Sequence, residues 1–188
     1  MRNLILIAHI SLDGLVAGPN GEFDGFDSDE ENLQFVCALT ENADAALLGR
    51  KSFELLNSYW PAAKALPNAS KGTVQYSNWY DKAEKIVVST SLKSEARENL
   101  VVINRNIPEE ILKMKNEPGK DILIFGSPKT TQTLIKSDLI DAYWIFVNPA
   151  IFGKGIPLFS SEQSLKKLKL EATRQFSNGE IALYYTNR

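Results

Sequence analysis

A single histidine and a single cysteine occur among the 188 residues. The lone Cys37 excludes an intrachain disulfide and fits a reducing compartment, so a cytoplasmic protein is expected. One histidine and one cysteine are too few for the usual zinc ligand sets, so no metal is expected. Long basic runs are missing, and 21 basic residues stand against 23 acidic ones for a net charge of -2. Neither nucleic acid nor an anionic membrane is therefore expected as a partner, although a small basic pocket for one phosphate remains compatible with the chain. The apolar runs are short. Leu4-Ile5-Leu6-Ile7 falls far below the ~20 residues of a membrane span. No small-residue cleavage pattern follows it, so it reads as a buried strand and not as a signal peptide. Repeats, low-complexity tracts and coiled-coil heptads are also missing.

What is present is a hydrophobic fraction of 44% and a charged fraction of 23%, which suits one folded domain over residues 1–188. Short apolar runs at 4–10, 45–48, 85–89, 100–103, 121–125 and 142–148 read as strands buried on both faces. Helices are expected between them. Ser28 and Glu31 have capping-box spacing, 52–56 reads as a short helix, and Pro108 opens another to 115. Ser127-Pro128 reads as an N-cap followed by proline at the first helical position, with a helix to 136. Alternating strands and helices predict an α/β fold with a mainly parallel sheet. Residues 168–176 and 181–186 flank Asn178-Gly179 and predict a final antiparallel hairpin, closed by a turn with positive φ at both central residues. Pro61, Pro67, Asn68 and Gly72 predict a long surface loop over 61–77.

Four segments carry chemistry. Ser11-Leu12-Asp13-Gly14 through Gly21 is a turn-rich loop directly after the first strand. In a parallel sheet that edge is where ligands bind, although a plain connection explains the composition equally well. Leu48-Gly49-Arg50-Lys51-Ser52-Phe53 takes a buried strand through glycine and two cations into a helix, an arrangement suited to a phosphate ester. Solvated cations at an ordinary junction are the plainer reading. Ile124-Phe125-Gly126-Ser127-Pro128-Lys129-Thr130 repeats the pattern, with free N–H groups for a pyrophosphate. Pro149-Ala150-Ile151-Phe152-Gly153-Lys154-Gly155 is a glycine-hinged apolar loop, better suited to packing than to chemistry.

Together these segments resemble the dihydrofolate-reductase fold family. Gly49-Arg50-Lys51-Ser52-Phe53-Glu54 is similar to its Gly-Arg/Lys-x-Ser/Thr-Trp/Phe-Glu segment. Ile86-Val87-Val88-Ser89-Thr90 is similar to its next cofactor strand. Phe125-Gly126-Ser127 resembles its Gly-Gly turn with serine in second place. Ser11-Leu12-Asp13-Gly14, and Leu139-Ile140-Asp141 leading to the 149–155 loop, look more like the C-terminal reductase domain of the bifunctional riboflavin-biosynthesis protein. The resemblance implies a three-layer α/β fold and NADPH as cofactor. It implies Ala17 and Gly18 at the nicotinamide, and Gly49, Arg50, Lys51 and Ser52 on phosphates. Ser89 and Thr90 would lie at the adenosine end, and Gly126, Ser127, Lys129 and Thr130 at the pyrophosphate.

The family's pterin-binding acid falls at Asn32 or Leu33 here. Glu30 and Glu31 are the nearest carboxylates and are expected to be catalytic, unless a bound water delivers the proton. His9 and Asp13 are expected to contact the substrate. The expected activity is NADPH-dependent reduction of a small heterocycle, as in 5-amino-6-(5-phosphoribosylamino)uracil reductase. The alternatives are a dihydrofolate or pterin reductase and a non-catalytic dinucleotide-binding protein. A hydrolase built on His9, Ser11 and Asp13 is disfavoured. One strand spaces alternate residues along a line, whereas nucleophile and base normally converge from separate segments. Trp144, Phe146, Ile151, Phe152, Ile156, Leu158 and Phe159 exceed what one strand can bury, and predict a homodimer.

Overall fold

The computed structural model describes residues 1–27, 29–92 and 98–188. The strands are β1 (Leu4–Ile10), β2 (Leu15–Ala17), β3 (Ala43–Gly49), β4 (Glu84–Val88), β5 (Leu100–Ile103), β6 (Asp121–Ile124), β7 (Ala142–Val147), β8 (Ile156–Pro157), β9 (Leu168–Gln175) and β10 (Ile181–Asn187). The helices are α1 (Glu30–Thr40), α2 (Arg50–Ala63), α3 (Lys71–Lys82), α4 (Ile107–Asn116) and α5 (Pro128–Lys136). One sheet runs in the order β5-β4-β3-β6-β1-β7-β10-β9. Its members are parallel from β5 to β7, and the β10–β9 hairpin closes it antiparallel. This is the α/β architecture expected from the alternating pattern.

The two-residue period of a strand divides the core. Leu4, Leu6, Leu47, Ile122 and Ile124 bury against Ile111 of α4 and Leu134 of α5. Ile7 and Leu123 bury on the opposite face with Val36 of α1 and Tyr76 of α3. Leu48 and Ala46 pack with Phe53 of α2. Helices therefore cover both faces, which explains why the parallel strands read as unbroken apolar runs. At the N-terminal edge, the Lys115 ammonium lies buried 2.7 Å from Asp141 Oδ2 and donates to the Leu139 carbonyl. The same Asp141 oxygen accepts the Leu4 N–H at 2.7 Å, tying α4 to the start of β1.

Three expectations need correction. No loop spans 61–77. Helix α2 runs to Ala63, with Pro61 in its last turn, two residues before the helix ends. Ser70 then caps α3 through Thr73 N. Gly72 lets α3 approach α1, since a Cβ there would stand 3.0 Å from Glu30 Oε1. The cap of α1 is Asp29, which accepts from Asn32 N at 2.6 Å. Ser28, expected in that role, lies outside the described residues. Finally, the hairpin turn has positive φ only at Gly179. Gly179 N bonds Phe176 O, and Phe176 N bonds Glu180 O. That is a three-residue loop with one left-handed glycine.

A small sheet, β2 with β8, went unanticipated. Two- and three-residue strands carry no periodicity to read. It holds the loop after β1 against the late glycine loop, and a Cβ on Gly155 would run into the Ala17 carbonyl.

Candidate active site

Adjacent strands β3 and β6 end side by side, where Gly49 N donates to Gly126 O at 2.9 Å. The helices that follow them leave to opposite faces. Phe53 of α2 packs on Leu48, while Leu134 and Ile135 of α5 pack with Leu47 and Ile124. Neighbouring strand ends whose helices diverge in this way open a crevice at the carboxyl edge of the sheet. Both helices start there, and neither start is capped by a side chain. Gly49 has no side chain to offer, and Ser127 makes no cap bond. Two sets of first-turn N–H groups, each at the positive end of a helix dipole, therefore face one crevice.

Both glycines are required by geometry. A Cβ on Gly49 would run into Ser127 Oγ and stand 2.8 Å from Thr130 Oγ1. Gly126 has φ +90, a conformation disfavoured for side-chain-bearing residues. A Cβ built there would lie 3.1 Å from Ser52 Oγ. Ser52, Ser127 and Thr130 thus bring three hydroxyls to the joint between the turns. Lys129 is exposed on the first turn of α5.

On the β4 side of the crevice, Ser89 is buried. Its Oγ accepts from Ser91 N and Leu92 N, closing the turn that exposes Thr90. Arg50 reaches across to it, donating from Nη1 to Ser91 Oγ at 2.8 Å and from Nε to Glu54 at 2.7 Å. Lys51 is exposed beside it. On the other side Ala17 is buried in β2, and Gly18 is held by a bond from its N–H to Glu22 O.

The expected acid–base residues are committed elsewhere. Glu30 accepts from Ser70, Gln34 and Gly72 N. The Ser70 hydroxyl, then Gln34, hold its carboxyl below the ordinary range. Glu31 accepts from Ser177 N and Arg174, and the Ser177 backbone leads in lowering its carboxyl too. A carboxylate held ionised by such donors is poorly suited to giving up a proton. Strand β1 stops at Ile10, so Ser11 and Asp13 lie in the following turn, not on one strand face with His9. Ser11 Oγ donates to Asp13 at 2.6 Å, and Asp13 accepts Phe152 N and Gly153 N. The Ser11 hydroxyl, then the Phe152 amide, depress the Asp13 carboxyl. Asp13 thereby latches the loop after β1 to the late glycine loop.

His9 stands three residues beyond the last β1–β6 pair, Leu6–Ile124, at the sheet edge that carries Gly126. Its ring stacks on Phe146 with centroids 4.6 Å apart at 16°. Nδ1 lies 2.9 Å from Oε1 of Glu180. Glu180 is 1% exposed, and its Oε2 accepts from Asn32 Nδ2 at 3.1 Å. Sequence reasoning missed this carboxylate. Two residues beyond Asn178, it resembled a solvated hairpin end. The available signal was alternation, since Glu180 shares a strand face with buried Ala182. Asn32, where the resemblance put an acid, holds one instead. Among the described residues no metal-ligating cluster occurs, and no helix is long and apolar enough to cross a membrane.

Comparison with known proteins gives the family and the fold. The RibD C-terminal domain profile matches residues 2–182. The Bacillus subtilis (strain 168) protein YyaP is 33% identical over 184 residues, covering 98% of this chain and 94% of its own. Among solved structures, a diaminohydroxyphosphoribosylaminopyrimidine deaminase/5-amino-6-(5-phosphoribosylamino)uracil reductase from Thermotoga maritima superposes with TM-score 0.69 at 19% identity. The match covers 100% of this chain and 57% of that one. Enterococcus faecalis dihydrofolate reductase complexed with NADP(H) superposes with TM-score 0.65 at 16% identity, covering 99% of this chain and 96% of that one.

Proposed function

The chain belongs to the RibD C-terminal domain family, a family of riboflavin-pathway-type reductases, and from that premise we propose that it is an NADPH-dependent reductase of a small nitrogen heterocycle. One observation carries the cofactor: two uncapped helix N-termini meet across the Gly49–Gly126 joint. A pyrophosphate suits that joint. It needs several N–H donors and close backbone approach, and a side chain on Gly49 would fill the joint. In this reading Gly49, Ser52, Gly126, Ser127, Lys129 and Thr130 hold the pyrophosphate. Arg50 and Lys51 face the 2′-phosphate, with Ser89 and Thr90 shaping the adenosine end, and Ala17 and Gly18 border the nicotinamide. The bound cofactor supplies hydride, while the protein supplies position and a dry, oriented cleft. The substrate is of the aminopyrimidine class, as with the uracil reductase from Thermotoga maritima.

Cofactor selectivity tests this reading. Arg50 presents a guanidinium suited to a phosphate dianion. NADPH is expected to bind about tenfold more tightly than NADH, with Arg50→Ala removing most of the difference. Fluorescence titration of the two cofactors measures it, and equal affinities in the parent protein would refute it.

A homodimer is proposed as well. The hairpin covers part of the late apolar segment, since Trp144 stacks on Tyr184 and Phe146 is buried. It leaves Ile151, Phe159, Leu165 and Leu170 exposed. A two-fold pairing would cover such a surface. Sedimentation is expected to give twice the 21.0 kDa chain mass, and a species at 21.0 kDa would contradict it.

A further inference from the structure

Resting on the reductase reading above, we infer that His9 gives the reduced heterocycle its proton. Glu180 is the buried positioning residue that keeps a hydrogen on Nδ1 and leaves Nε2 to the substrate.

Glu180 is a carboxylate almost wholly removed from water. Such a group needs donors on both oxygens. Asn32 serves Oε2. Oε1 meets no donor among the described residues unless His9 supplies one, and Nδ1 is 2.9 Å away. With Glu180 ionised, the contact is a hydrogen bond only when Nδ1 carries hydrogen. The hydrogen bond made by one ring nitrogen decides the state of the other, so Nε2 is left as the working atom. Phe146 closes one face of the ring. The histidine side chain is 36% exposed, and its other edge is committed to Glu180. Among the acid–base groups near this edge, Glu30, Glu31 and Asp13 are bonded elsewhere. Among the described residues, His9 Nε2 has no hydrogen-bond partner.

The step balances simply. In the cation, His9 carries hydrogen on both nitrogens. Its Nε2–H bond breaks as a new N–H bond forms on the nitrogen of a C=N double bond in the substrate. The reduced dinucleotide, when bound, would supply hydride to the carbon of that bond, whose π pair becomes the new N–H bond. Neutral His9 retains its Nδ1 hydrogen against Glu180 and regains the other from water.

His9 is the sole histidine, so its imidazole ¹⁵N resonances need no assignment. Long-range ¹H–¹⁵N correlation of the ligand-free protein is expected to show the Nδ1–H tautomer in the neutral form, and a predominant Nε2–H tautomer would overturn the inference. Glu180→Gln keeps the shape. Because Asn32 donates to one oxygen, the glutamine should turn its amide NH₂ toward His9 and switch the hydrogen to Nε2. An unchanged tautomer in a folded Glu180→Gln protein would overturn the role of Glu180. Diethyl pyrocarbonate is expected to acylate His9 at Nε2 in the native protein, and an unreactive His9 would also overturn the inference. None of these readouts needs the dinucleotide. NADPH titration of the untreated protein separately decides the cofactor reading, whichever way the tautomer falls.

Discussion

Gly126→Val is expected to abolish dinucleotide binding, by about a hundredfold or more, while the protein stays folded. Gly126 has φ +90, a region that β-branched residues almost never enter. Strain of this kind costs about 1–3 kcal/mol, less than the 5–15 kcal/mol typical of a domain's stability. The chain would relieve it locally by turning the 126–127 peptide. That movement would displace the hydrogen bond from Gly49 N and the start of α5, and with them the paired N-termini. Circular dichroism checks the fold and fluorescence titration checks the binding. Normal NADPH affinity in the folded variant would put the dinucleotide elsewhere.

Asp141→Ala is expected to damage stability and leave the cofactor site alone. Asp141 accepts the Leu4 N–H and faces Lys115, whose side chain is only 4% exposed. Removing the half-buried Asp141 strands the buried Lys115 ammonium, at a cost of roughly 3 kcal/mol. For a chain of this size that corresponds to a melting temperature lower by roughly 6–12 °C. Asp141 precedes β7 and lies at the N-terminal edge of the sheet, opposite the crevice. NADPH affinity should therefore survive at temperatures where the variant is folded. A melting temperature matching the parent would show that the pair is not a structural tie.

The contrast between these two sites explains what could be read from the sequence. Both-face burial writes strands as apolar runs, so β1 and β5 were legible to the residue, and Pro128 marked the start of α5, although the Ser127 side chain does not cap it as expected. The paired glycine turns were legible for the same reason, since each follows a buried strand and opens a helix. Pro61 and Gly72 misled because their effect depends on position. One lies in the last turn of α2, and the other sits where α3 must approach α1. Alternation with buried Ala182 marks the inward face of Glu180, but not its partners. Its burial depends on His9 and Asn32, which are 171 and 148 positions away. A charge at a hairpin end carries no local mark of such partners. Glu30 and Glu31 are the nearest carboxylates to the position the resemblance points to, but Ser70 and Ser177 claim their oxygens through tertiary contacts that no local pattern records.

The central claim is that a dinucleotide pyrophosphate lies between the N-termini of α2 and α5. A crystal structure of the protein grown with saturating NADPH tests it most directly. The account predicts pyrophosphate density at the Gly49–Gly126 joint, in contact with first-turn N–H groups of both helices. A dinucleotide bound away from that joint, or crystals free of dinucleotide together with no binding in solution, would contradict it.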